Sequence, residues 1–211
     1  MAGRPRGVGD AAILRAAVEV IGRVGPARLT LAAVAGEVGV VPGTLVQRFG
    51  SKRGLLVALA ASAVRDADAL HERARAGHAS ALAALDAFAV EGMSEMSTPE
   101  RFANHLAFLC ADLTDPELHE HALAVHRAQC RVIELLLGEA AAGGELRPGT
   151  DTRALARTIR AVVAGTGLSW ALDREGTLPE RLRQEIRAVL APHVREDAPH
   201  HRTGREEPWG N

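Results

Sequence analysis

Residues 29–56 read LTLAAVAGEVGVVPGTLVQRFGSKRGLL, and two short helices joined by a tight turn account for that stretch. Thr30 is a natural N-cap, and Leu31, Val34, Ala35 and Val38 recur at helical spacing behind it. Gly39 tolerates the left-handed backbone that ends such a helix, and Pro42 suits the first turn of the next. The second helix, about Pro42 to Arg48, turns Leu45 and Phe49 inward and leaves Gly43, Thr44, Val46, Gln47 and Arg48 outward. This is a helix-turn-helix pattern. Ser51 then caps a third helix whose first turn carries Lys52 and Arg53. Cations there oppose the helix dipole unless they meet an anion, and DNA phosphate is such an anion.

The segment resembles the DNA-binding region of the TetR family of transcriptional regulators. Thr30, Val34, Ala35, Gly39, Val40, Gly43, Thr44, Leu45, Phe49, Ser51, Lys52 and Leu55 carry the resemblance. Two positions depart from it: Val41 stands where the family has a capping serine, and Val46 where it has a DNA-contacting tyrosine. Ala32 and Ala33 offer phosphate no side-chain hydrogen bond, so Arg48 is a candidate replacement contact. The resemblance implies an all-α homodimer that binds double-stranded operator DNA and is released by a small-molecule effector of unknown identity. It implies DNA contacts from Thr30, Pro42, Gly43, Thr44, Gln47, Arg48 and Lys52.

The rest of the chain fits this frame. Of 211 residues, 47% are hydrophobic and 3% aromatic, a composition that favours a packed, helical, globular protein. Residues 1–58 hold eight Lys or Arg against three acids, and the remainder 17 against 23, so the basic end is the nucleic-acid end. Residues 1–9 form a basic arm in which Arg4 and Arg6 are placed to reach along DNA. The expected division is a three-helix DNA-binding domain over 1–50, a helical effector-binding and dimerisation domain over 51–194, and a disordered polar tail over 195–211.

Further helices are expected from Asp10 to Val24, from Ser51 to about His71, and from Ala79 to about Met96. Thr98-Pro99-Glu100 and Asp115-Pro116-Glu117 each give a cap, a first-turn proline and a first-turn acid. Asp151 and Leu178-Pro179 open the last two helices. Gly165 and Gly167 each cost about 1 kcal/mol against alanine inside the first of these, so close approach of another backbone is the expected reason for them. The apolar stripes Leu155, Ile159, Val162 and Thr166, and Leu182, Ile186 and Val189, occupy the place of the family's dimer interface.

The middle helices carry Phe88, Met93, Phe102, His105, Leu109, His126, Cys130 and Trp170, which the resemblance makes candidates for the effector site. Each is equally a core residue by composition. Catalysis is not expected, because no metalloprotease, phosphate-loop or nucleophile motif occurs; His119, His126 and Cys130 share a face but span too many turns for one metal. No cofactor is expected. Two cysteines, the lack of a leader segment and the interruption of the longest apolar run by Arg157 and Arg160 point to the cytoplasm and away from a membrane. A helical ligand carrier or enzyme with a degenerate helix-turn-helix, or a regulator without effector, is the alternative.

Overall fold

The computed structural model describes residues 8–195, and among these it has nine helices and no strand beyond one isolated bridge, Leu146 to Val194. They are α1 Asp10–Arg28, α2 Leu31–Glu37, α3 Pro42–Phe49, α4 Lys52–Gly77, α5 Ala81–Glu91, α6 Pro99–Thr114, α7 Pro116–Ala142, α8 Thr152–Asp173 and α9 Leu178–Leu190. Arg4 and Arg6 lie outside the described residues, as does the tail beyond Arg195. Arg195 itself donates its backbone N–H to the Glu145 carbonyl, so the chain is still held at that point.

Of the caps read from the sequence, five are made, whereas Asp10, also an acceptable cap by type, is the first residue of α1 and Gly9 stands at the cap without a side-chain bond. Thr30 accepts from the Ala33 amide, Ser51 from Gly54, Thr98 from Arg101, Asp115 from Glu117 and Leu118, and Asp151 from Ala154. Each satisfies a backbone N–H that a helix start leaves without a partner. α1 bends at Gly25, whose φ of 77° interrupts helical geometry before Pro26 begins a last turn. α4 runs one and a half turns past His71, because Leu70 and Ala74 extend its buried face. α5 ends at Glu91, leaving Met93 and Met96 in the connection to α6.

Two cores result. The first joins Ile13, Ala17, Val20 and Ile21 of α1, Val34 of α2, Leu45 of α3, and Leu55 and Leu59 of α4. The opening turns of α4 therefore pack with the helix-turn-helix, although the sequence division put them in the second domain. The second core gathers Leu85 and Phe88 of α5, Ile133, Leu136 and Leu137 of α7, Ile159 of α8, and Leu182 and Ile186 of α9. A fully buried leucine or isoleucine contributes about 1.5–3 kcal/mol.

This placement corrects the dimer reading. Leu155, Ile159, Thr166, Leu182 and Ile186 are at most 7% exposed inside one protomer, and Val162 and Val189 are half-buried. Leu155, Ile159, Leu182 and Ile186 close the core of their own chain, Thr166 is buried beside them and Val189 packs against that core. The outward stripe of α8 is Thr158, Ala161, Gly165, Leu168 and Leu172, with Leu168 47% and Leu172 78% exposed. Gly167 is explained by a ring rather than a backbone: a β-carbon there would lie 2.4 Å from Phe102 Cε2. At Gly165 a β-carbon would meet open space.

Candidate functional site

α3 presents Val41, Pro42, Gly43, Gln47 and half of Val46 to solvent, while buried Leu45 fixes the helix to the first core. Thr44 is partly buried at its N-terminal end. The basic residues around it are engaged inside the protein. Arg48 donates to the Val8 carbonyl and, at 3.1 Å, to Asp10 Oδ1, so it ties the segment before α1 to α3. Lys52 Nζ donates to the carbonyls of Pro26, at 2.6 Å, and Ala27, at 3.2 Å. The anion-like partner of this cation is thus the carbonyl end of α1, whose last C=O groups lack helical partners. Thr30 spends its oxygen on its cap.

Arg53 leaves the DNA-binding unit altogether. Its guanidinium is held by Asp115 and, at 2.8 Å, by Glu117 at the start of α7, and this pairing holds the Asp115 carboxyl down to about 2. A second clamp lies between α1 and α6: Arg101 Nη2 reaches Glu19 at 3.0 Å, and Asn104 Nδ2 donates to the Gly22 carbonyl at 2.8 Å. Both clamps couple the helix-turn-helix to the middle helices.

Between them lies a cavity of about 590 Å³, in the range of small-molecule sites. α1 gives it Val18 and Ile21, and α4 gives Leu59, Ala60, Ser62, Ala63 and Asp66. Of the residues named from the sequence, Met93, Phe102, His105, Leu109 and His126 line it. Phe88 and Trp170 do not: both are core, and Trp170 Nε1 donates to the Gly176 carbonyl at 3.2 Å. Cys130 stands behind the wall with its sulfur 3.6 Å from His126 Nε2. Sequence reasoning missed Asp112, Gln129 and Arg160, which also line the cavity.

Burial pushes His105 down, with Arg101 adding to the effect, which favours the neutral form of the imidazole. Asp112, 6% exposed, is raised by burial and by Asp115 to about 6. Its ordinary value is 3.8, so the folded protein takes up a proton between these values, and the stability of the neutral form is lost as pH rises through 6. Asp112→Asn is therefore expected to raise the melting temperature at pH 8 and to change it little near pH 4. An equal gain at both values would rule out ionisation as the cause.

Among the described residues no group of three or more His, Cys, Asp or Glu side chains could hold a metal ion, and no helix is long and apolar enough to cross a membrane. Fold and site together define a helix-turn-helix protein whose reading helix is joined by α1 and α4 to a cavity-bearing bundle. Two family models match the chain: bacterial regulatory proteins of the tetR family over residues 13–59, and the tetracyclin repressor-like C-terminal domain over residues 109–186. The chain belongs to the TetR family and is a DNA-binding transcriptional regulator.

Solved structures share the fold. A TetR-family regulator from Rhodococcus sp. is 23% identical with a TM-score of 0.67, over 86% of this chain and 96% of that one. SmeT, the repressor of the Stenotrophomonas maltophilia efflux pump SmeDEF, is 23% identical with a TM-score of 0.64, over 90% and 93%. A regulator from Saccharomonospora viridis in complex with choline is 19% identical with a TM-score of 0.67, over 89% and 98%. Among curated proteins none matches the chain.

Proposed function

We propose that the protein is a cytoplasmic homodimeric repressor whose α3 reads a palindromic operator and whose affinity for it is lowered by a small molecule in the cavity. One observation carries this reading: the cavity wall includes α1 and α4, the helices that hold α3, so a ligand there touches the frame of the reading unit itself. SmeT, a repressor, shares the fold, and so does a regulator that binds choline.

Gln47, exposed and without a hydrogen-bond partner among the described residues, is the side chain of α3 suited to a base edge; the bare backbone at Gly43 lets the helix approach closely. Val46, 50% exposed, suits a thymine methyl group where a tyrosine would reach phosphate. Thr44 is the phosphate-positioning group. In a twofold dimer the two α3 helices must stand about 34 to 36 Å apart to enter successive major grooves. The outward stripe of α8, from Ala161 through Gly165 to Leu172, is where the second protomer packs, with Gly165 allowing the two backbones to approach. α4, 26 residues long, carries a tilt at the cavity to Ser51 and α3.

A mobility shift with the duplex upstream of the protein's own gene tests this: salt-sensitive, sequence-selective retardation is expected, and none at low salt would contradict it. In the same assay Gln47→Ala is expected to cost about 1–3 kcal/mol on the preferred site and to relax selectivity at one position per half-site. Unchanged selectivity would remove Gln47 from the reading set.

A further inference from the structure

Four buried polar atoms on the cavity wall have no hydrogen-bond partner among the described residues: His105 Nε2, Asp112 Oδ1, Gln129 Oε1 and Arg160 Nε. Buried polar groups are paired in about nine cases in ten or more, so four together on one wall state a demand that a ligand would meet. Two of them, Arg160 and Asp112, lie against different stretches of α7. Arg160 is acted on electrostatically by Cys130, the neighbour of Gln129, whereas Asp112 is faced by Asp115 and His121. His121 and Gln129 are eight residues apart, about 12 Å along a helix. Met93, Phe102, Phe108 and Leu123 make the wall largely apolar.

Arg160 sets the sign of the polar end. It lies among the apolar residues of α8, it has no ion pair among the described residues, and no carboxylate is among the groups that act on it. Asp66, the other acid on the wall, is exposed and accepts from Ser62 Oγ at 3.3 Å. A guanidinium stays charged even when burial pushes it down, and a charge so placed is costly until an anion meets it. Half a turn of the Gln129 amide exchanges Oε1 for Nε2 and adds a second donor beside it.

We propose that the cavity takes an elongated amphipathic monoanion, a carboxylate on a largely apolar body, with the carboxylate held by Arg160 and Gln129. The body then runs toward Asp112, so a second carboxylate at the far end would meet an acid there. This rests on the reading of the cavity as the effector site.

Calorimetric titration of the full-length protein with dodecanoate, dodecan-1-ol, dodecylamine and dodecanedioate, below micelle-forming concentrations, tests it. Dodecanoate is expected to bind at least about tenfold more tightly than the other three, as a charge-assisted hydrogen bond implies. Arg160→Met is expected to bring dodecanoate to the level of the alcohol and leave the alcohol unchanged, while Arg160→Lys keeps the carboxylate preference. Alcohol binding that equals or exceeds carboxylate binding, or a carboxylate preference that survives in Arg160→Met, would overturn the anion assignment and leave the effector cavity standing. Failure of all four compounds to bind would overturn both.

Discussion

Glutamate at both Leu168 and Leu172 is expected to yield a folded monomer that no longer retards operator DNA. Both side chains are exposed on one protomer, at 47% and 78%, so the charges cost its core nothing. In a dimer they would face their twins across the α8 stripe, and unpaired like charges in an apolar contact are strongly unfavourable. Losing the second protomer removes the avidity of a two-half-site operator, about a hundredfold or more in affinity. Sedimentation together with circular dichroism checks the result. A dimer that survives both substitutions would place the interface elsewhere.

Ile186→Glu is expected to unfold the protein rather than dissociate it. Ile186 is fully buried among α9, α5 and α8 of its own chain, and an ionised carboxylate there costs several kcal/mol after relaxation. That is comparable with the whole stability of a domain, about 5–15 kcal/mol. Thermal melting and circular dichroism distinguish the outcomes: a soluble, fully helical monomer with a normal melting temperature would contradict the burial of this face.

These two variants mark where sequence reading stops. Leu155, Ile159, Leu182 and Ile186 and the outward pair Leu168 and Leu172 are all apolar and all helically spaced. Periodicity says that a face is buried but does not say against which chain, so it does not separate the inner stripes from an interface. The elements themselves were legible because their signals are local: Thr30, Ser51, Thr98, Asp115 and Asp151 each cap within three residues of their own position. Partners distant in sequence were not. Lys52 meets carbonyls 25 and 26 residues away and Arg53 meets acids 62 and 64 away, so both had looked like phosphate ligands.

The cavity followed the same rule. Met93, Phe102 and His105 stood out by type, but Asp112 and Gln129 look like ordinary polar positions on long helices. Arg160 carries a signal beyond the interruption of an apolar run. It shares a face with Ala156, Val163 and Gly167, all buried, and a charged residue on a buried face needs a partner.

The central claim is that cavity and operator compete through one change of arrangement, carried by the Arg53 and Arg101 clamps and by α4. Linkage tests it most directly: the affinity of the tightest-binding carboxylate with and without saturating operator, and the affinity of the operator with and without saturating carboxylate. The two ratios are expected to be equal, in the range of about 5- to 150-fold. Carboxylate affinity that is the same with and without operator would show that occupancy of the cavity does not control DNA binding.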